Sequence, residues 1–475
     1  MKKKIMISVL SLLAVACILP VGTVSASAAT LNTPATTQTV DGVTYKKYSY
    51  SDGSGKQVLF YGEYNATAEN SKYEYVIHNV RNDSGSVVLT NVQGIAADYT
   101  AKTGRKVVMA TNGDYFSGVN NVESLVMEGI VYTIGSFTYK HCLGFDNEGN
   151  TAIGRMTETE NFVEVTTKTG VYYYEIDKIN QVPDDGELAV YSTATNVALE
   201  GCCKYKVMTD STNVLQFAPT EGTFTRMTTG TVVDDKSLTL NSGEFAIVVK
   251  GENELSQFLY DNVKYGYSCR LVKKPAGAYE GMDYVIGGYD ILVNDGVANT
   301  NCHTDNSGNA NAPRTFIGVK EDGTMFLGVL DGRQSGYSIG CTVNKEAQLA
   351  LELGAKYALE LDGGGSSTFL FDFNDGNGLT LLNKPSDGAM RKVTNAVLLV
   401  EKPVEETPDD GSSDSVPDVS VPDESESDAN VSVDDGSSKD TSGSETASGC
   451  FSSASIAGVA ILPAAFVLCL KKKRK

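Results

Sequence analysis

Tyr357-Ala358-Leu359-Glu360-Leu361-Asp362-Gly363-Gly364-Gly365-Ser366-Ser367-Thr368-Phe369-Leu370-Phe371 reads as a strand, a glycine turn and a second strand. Strand side chains alternate, which puts Tyr357, Leu359 and Leu361 on one face and Glu360 and Asp362 on the other. Two carboxylates spaced this way lie ~6–7 Å apart. Gly363, Gly364 and Gly365 have no Cβ, accept positive φ and leave backbone N–H groups bare. Ser366, Ser367 and Thr368 add hydroxyls. Carboxylates, N–H groups and hydroxyls at one strand end make a site for a polar, anionic group. A glycine hairpin with a satisfied Asp is the plainer alternative for this stretch alone.

Upstream, Ala347, Ala350 and Leu351 fall at helical spacing and Gly354 stops that helix. The same order occurs earlier in the chain. Ile95, Ala96 and Tyr99 mark a helix over Val92 to Thr103, and Gly104 ends it. Val107 to Ala110 is a strand that runs into Asn112-Gly113-Asp114. Helix, strand and polar glycine loop thus occur twice, and two such units are expected to face each other across one cleft. Between them, Arg314 to Val319 and Met325 to Leu330 form a hairpin around Asp322-Gly323. If strand geometry persists past Leu330, Asp331 and Arg333 share a face. Strands at Thr44 to Tyr50, Gln57 to Tyr64 and Tyr73 to Asn79 form an N-terminal meander that packs against the rest. Short strands follow over Gly135 to Lys250, with a hairpin arm at Ile291 to Gly296. The expected fold class is α+β: β-rich mixed sheets, a few packed helices and an active-site cleft at strand ends.

The termini carry different signals. Lys2-Lys3-Lys4, an apolar run from Ile5 to Val24 and Ser25 to Ala29 read as a signal peptide over residues 1–29. Phe451 to Leu470 is long enough to span a bilayer core, and Lys471 to Lys475 should stay in the cytoplasm. Residues 450–475 are therefore read as a transmembrane anchor with a basic tail. Val404 to Gly449 holds 14 acidic residues against one Lys and almost no aromatics. Such a segment buries too little apolar surface to fold, so residues 403–449 are read as an acidic disordered linker. The expected location is exported, on a cell membrane, single-pass, with the bulk outside. Residues 30–97 then form an N-terminal strand-rich region, and 98–402 the main folded domain.

Composition removes several classes of function. The linker accounts for most of the formal charge of −20, so no nucleic-acid partner is expected. Three His, at 78, 141 and 303, form no zinc pair in sequence, and no Gly-x-Ser-x-Gly supports a serine triad. Six Cys lie outside the termini, at 142, 202, 203, 269, 302 and 341, in no disulfide or zinc pattern.

Asn112-Gly113-Asp114-Tyr115-Phe116, Ile286-Gly287-Gly288, Pro313-Arg314-Thr315, Asp331-Gly332-Arg333, Leu361 to Ser367 and Arg391 to Ala396 occur in this order. Together they resemble the phosphodiester glycosidase family over roughly Asp98 to Val400. Glu360 departs from the pattern, since the family more usually has Asn there. The resemblance implies a hydrolase that splits the bond between a sugar's anomeric carbon and a phosphodiester. N-acetylglucosamine is the first candidate sugar, and cell-surface glycopolymers are the candidate source. Asp362 is the first choice for the essential carboxylate, with Asp331, Glu360 and Asp114 as candidates for a second. Arg314 and Arg333 offer planar charged forks to phosphate oxygens. Gly363 to Gly365, Ser366 and Ser367 offer N–H and hydroxyl groups, while Asn112, Gly113 and Thr315 complete the substrate site. Clustered Asp and Asn oxygens are also a donor set for Ca²⁺, so a calcium cofactor is left open. The competing expectation is a non-catalytic module that grips cell-wall or phosphorylated glycans.

Overall fold

The computed structural model describes residues 31–403, apart from 83–84, 136–140, 168–169, 193–198, 200, 210–219, 228–237, 252–253, 263–267 and 305–306. The signal peptide, acidic linker and membrane anchor expected from the sequence lie outside the described residues. Among those described, no helix is long and apolar enough to cross a membrane.

The fold is a β-rich α+β fold, and its centre is a pair of antiparallel sheets. The first has eight strands. In spatial order they are Thr36–Val40, Val43–Asp52, Gly55–Tyr64, Met325–Leu330, Arg314–Val319, Tyr357–Leu361, Ile291–Asn294 and Val297–Ala298. The second has five: Thr380–Leu381, Phe369–Phe371, Val107–Asn112, Ala396–Glu401 and Tyr73–His78. The glycine turn therefore does not close a hairpin. It carries the chain from the Tyr357 strand in one sheet to the Phe369 strand in the other. The N-terminal strands are likewise woven in, because the Gly55 strand pairs along its length with the Met325 strand.

Alternation sorts the side chains into two cores. Ile317, Leu327, Leu359 and Leu361 enter the core shared by the two sheets. The aromatic contacts there include Tyr45 with Phe369 at 6.2 Å and with Phe371 at 5.4 Å. Phe316, Phe326 and Ala358 point to the opposite face, where Val343, Ala347 and Ala350 of the helix Val343–Glu352 cover them. Thr342 caps this helix by accepting from the Lys345 N–H. In the second sheet, Leu370, Ala110, Leu398 and Val76 are paired across one row. The helix Val92–Thr103 packs on this sheet through Ile95, Ala96 and Tyr99. Asn91 caps its start, and Gly104 ends it with φ 72°. Both helices expected beside the two polar loops are thus present.

The described strands between Thr159 and Pro275 form a separate eight-stranded sheet with its own buried cores. The helix Glu254–Asn262 in this segment was not expected from the sequence. A further five-stranded sheet contains Tyr284–Gly287. Pairing is antiparallel among the described strands except for the two-residue match of Lys178–Ile179 with Ala189 and Val190. All six cysteines of the described residues are buried.

The two helix–strand–loop units do meet. The Asp362 N–H donates to the Gly113 carbonyl at 3.1 Å. Asn112 Nδ2 donates to the Asp362 carbonyl at 2.6 Å, and its Oδ1 accepts from the Thr368 N–H at 3.1 Å. Thr315 Oγ1 lies 3.2 Å from Asn112 Oδ1 and 3.0 Å from Ser367 Oγ. Asn112, Thr315, Ser367 and Thr368 are all buried, so their bonds have no water to fall back on.

Two tests address this framework. Asn112→Ala strips partners from the Asp362 carbonyl and the Thr368 N–H, and should cost about 3 kcal/mol in urea unfolding with the slope unchanged. Glu63 supplies the second. Burial alone would raise its carboxyl, but hydrogen bonds from Lys320, Tyr61 and Lys46 outweigh that and hold it down to about 2. The stabilisation is therefore present above pH 4.5 and lost as pH falls towards 2. Glu63→Gln should be less stable than the parent at pH 7 by about 1–2 kcal/mol after allowing for solvent screening. That gap should close in acid unfolding near pH 2.

Candidate active site

Two strand ends and the turn between the sheets converge on Asp362. The Tyr357 strand ends at Leu361, so Asp362 is the first residue released from the ladder. It is only half-buried. Gly364 to Ser366 then form one 3-10 turn, with the Gly364 N–H bonded to the Pro313 carbonyl at 2.9 Å. Gly364 has φ 62°, and a Cβ there would sit 3.1 Å from Arg333 Nη1. A Cβ on Gly365 would fall 2.1 Å from Arg391 Nη2 and 2.2 Å from an Asp387 carboxylate oxygen. The left-handed φ favours glycine at 364, and a side chain at 365 would have to displace the ends of Arg391 and Asp387.

Those two arginines are both exposed. Arg333 does not share a strand face with Asp331. The strand stops at Leu330, Arg333 takes the left-handed φ of 58°, and its N–H bonds to the Ile339 carbonyl at 3.0 Å. That kink turns Arg333 outward over Gly364 while Asp331 stays inside. Arg391 pairs with Asp387 at 2.7 Å and donates to Ser366 Oγ at 3.3 Å. The sequence reading used Arg391 only as part of a motif. Its place at the turn depends on a contact across 25 residues that no local pattern reveals.

Arg314 has a different setting. It is buried, and its nitrogens donate to the carbonyls of Cys341 at 2.9 Å, Ser307 at 2.9 Å and Ala310 at 3.0 Å. Nη1 donates to Glu360 Oε1 at 3.2 Å. The guanidinium thus ties the Ser307–Ala310 loop to the Tyr357 strand. Asp331 is also enclosed. It accepts from Asn383 Nδ2 at 3.0 Å, Tyr337 OH at 2.9 Å and the Lys384 N–H at 2.8 Å. Burial raises its carboxyl, and these bonds work against that rise. Asp114 is buried as well, with Oδ2 accepting from the Glu123 N–H at 3.1 Å. Gly113 and Asp114 are held by Asn395 through its carbonyl and Oδ1 at 3.2 and 2.9 Å. Ser366, Ser367 and Thr315 are buried between the sheets.

Behind the turn lies a second polar cluster. Glu360 meets Arg314, accepts from Tyr115 OH at 3.1 Å, and lies 3.7 Å from His303 Nδ1 through Oε2. His303 Nδ1 lies 2.8 Å from Asp290 Oδ2, and its ring centroid is 4.1 Å from that of Tyr289. Glu346 sits on the other side of Arg314 at 3.9 Å. Burial pushes the carboxyls of both Glu346 and Glu360 up. Asp290 and Glu346 were not singled out from the sequence, Tyr115 entered only as part of a motif, and His303 only as one of three histidines with no zinc spacing. Only their convergence on Glu360, from four separate segments, makes them a group.

Around the glycine turn, the half-buried Asp362 and two exposed arginines face solvent, with Arg391 already paired to the exposed Asp387 carboxylate. That arrangement can hold an anionic group beside a carboxylate. Comparison with known proteins gives a family. Residues 212–400 match the profile of the family described as phosphodiester glycosidase. No curated protein matches the sequence. Among solved structures, the chain is similar to a hypothetical protein from Synechocystis, with 16% identity and a TM-score of 0.45. The alignment covers 76% of this chain and 63% of that one, so it spans less than two thirds of that protein. It is also similar to the zebrafish N-acetylglucosamine-1-phosphodiester alpha-N-acetylglucosaminidase catalytic domain, auto-inhibited by its pro-peptide. There the identity is 14%, the TM-score 0.36, and the coverage 77% of this chain and 88% of that one. The motifs from Ile286 to Ala396 all lie inside the matched span, and the family whose profile residues 212–400 match is the one the sequence motifs resemble, the phosphodiester glycosidases.

Proposed function

We propose that this chain hydrolyses the glycosidic bond of a sugar-1-phosphodiester, with N-acetylglucosamine as the first sugar to test. One observation carries the reading: Asp362 lies at the end of its strand beside a turn flanked by exposed Arg333 and Arg391. Bond cleavage at the anomeric carbon develops positive charge on the sugar. The Asp362 carboxylate is the group to oppose it. The phosphate leaves with the bonding electrons, and two guanidinium groups match its oxygens in charge and shape. Water supplies the oxygen of the new bond to carbon, and its proton passes to a base. A phosphodiester is already a good leaving group, so a strong general acid is not required. Arg314, Asn112 and Asp331 act in this reading as positioning residues, because each is spent on other protein groups. The exported, tethered location expected from the terminal apolar runs puts the chemistry at the outer face of a membrane, within reach of surface glycopolymers.

The test is release of free sugar from a panel of sugar-1-phosphodiesters. Asp362→Asn should lower kcat by at least about a hundredfold. Arg333→Ala and Arg391→Ala should mainly raise KM, since each removes a charge-assisted hydrogen bond to phosphate, about 1.5–3 kcal/mol. Binding without release across the panel would favour the glycan-gripping module instead. Full activity in Asp362→Asn would remove this residue from the chemistry.

A further inference from the structure

Two carboxylates, those of Glu360 and Glu346, are buried against one guanidinium, that of Arg314, and a third, that of Asp290, is buried beside His303. A buried carboxylate without a counter-charge is costly, so the excess negative charge calls for protons or a cation. The geometry is that of a cation site. One oxygen of Asp290, one of Glu360 and Nδ1 or Nε2 of His303 lie within 4.8 Å of one another. Glu360 Oε1 is committed to Arg314 and Tyr115. Its Oε2 is buried, has no hydrogen-bond partner, and faces His303 Nδ1 at 3.7 Å.

The surroundings orient the other two donors. Asp290 Oδ2 is fixed by the His303 backbone N–H at 2.7 Å. Tyr289 lies against the imidazole, and Ser307 Oγ sits 3.4 Å from its Nε2. Nδ1 points at the Asp290 carboxylate, which accepts its proton's hydrogen bond; an ion there would displace that proton and take the Nδ1 lone pair, leaving Nε2–H to donate to Ser307 Oγ. One ring nitrogen and two carboxylate oxygens suit a first-row divalent ion of the zinc class. They do not suit calcium, which takes six to eight oxygens.

We infer that Asp290, His303 and Glu360 form a site for one zinc-class divalent ion, with a coordination position left for water or a substrate oxygen. The experiment is a titration of the chelator-stripped full chain with Zn²⁺ by calorimetry, alongside melting curves and Co²⁺ absorption. The expected result is one ion per chain and a raised melting temperature. Glu360→Gln and His303→Gln should each weaken binding by at least about tenfold. His78→Gln should leave it unchanged, since that ring pairs with Asp98. Glu360→Gln replaces a buried charge with a neutral group of the same shape, so its metal-free form should melt no lower than the parent. Bound Co²⁺ should show ligand-field bands without thiolate charge transfer, a readout that needs no variant. No stoichiometric binding to the stripped protein would overturn the inference. So would thiolate bands, or binding equal in parent and both variants, because the ion would then sit on the cysteines.

Discussion

The Asn112 side chain is the constraint on which the rest depends. Its amide spans from the end of one sheet to the turn that enters the other, and every polar atom it has is used. Two sheets packed through aromatic side chains can slide, because dispersion and burial are not directional. A buried amide with fixed partners cannot. It sets the register between the Val107 and Tyr357 strands, and so fixes where Asp362 leaves its ladder. Thr315 and Ser367 extend the same lock to the Arg314 strand.

Burial then divides the acidic residues into separate tasks. Asp331 and Asp114 sit inside and hold loops by accepting hydrogen bonds from backbone N–H groups. Glu360 and Glu346 sit behind the strand around Arg314. Asp362 alone among the four carboxylates first considered keeps a face towards water. The arginines separate in the same way, with Arg314 enclosed and Arg333 turned out by its left-handed backbone.

Much of this was legible in the sequence. Periodicity and a terminal glycine placed the helix Val92–Thr103 residue for residue, and the Asp322-Gly323 turn gave the hairpin. The repeated order of helix, strand and glycine loop anticipated that Asn112-Gly113-Asp114 and Asp362-Gly363 would meet. Other features are set by long-range packing and leave no local trace. A glycine turn that joins two sheets has the same residues as one that closes a hairpin. Arg314 and Arg333 look alike in sequence, and only the loops around them decide which is enclosed. The Asp290–His303–Glu360 group brings together residues up to 70 positions apart, and no spacing rule covers that.

The placing of the Ala396–Glu401 strand governs the order in which the molecule can be assembled. It lies inside its sheet, between Tyr73–His78 and Val107–Asn112. While the chain is being made, those two earlier strands have no partner for the edges that will face each other. They wait through the synthesis of nearly 300 further residues, including the whole separate sheet of 159–275. Open apolar edges of this kind invite pairing with other chains. The last of the described strands to emerge is thus the keystone that joins the Tyr73 and Val107 strands into one sheet.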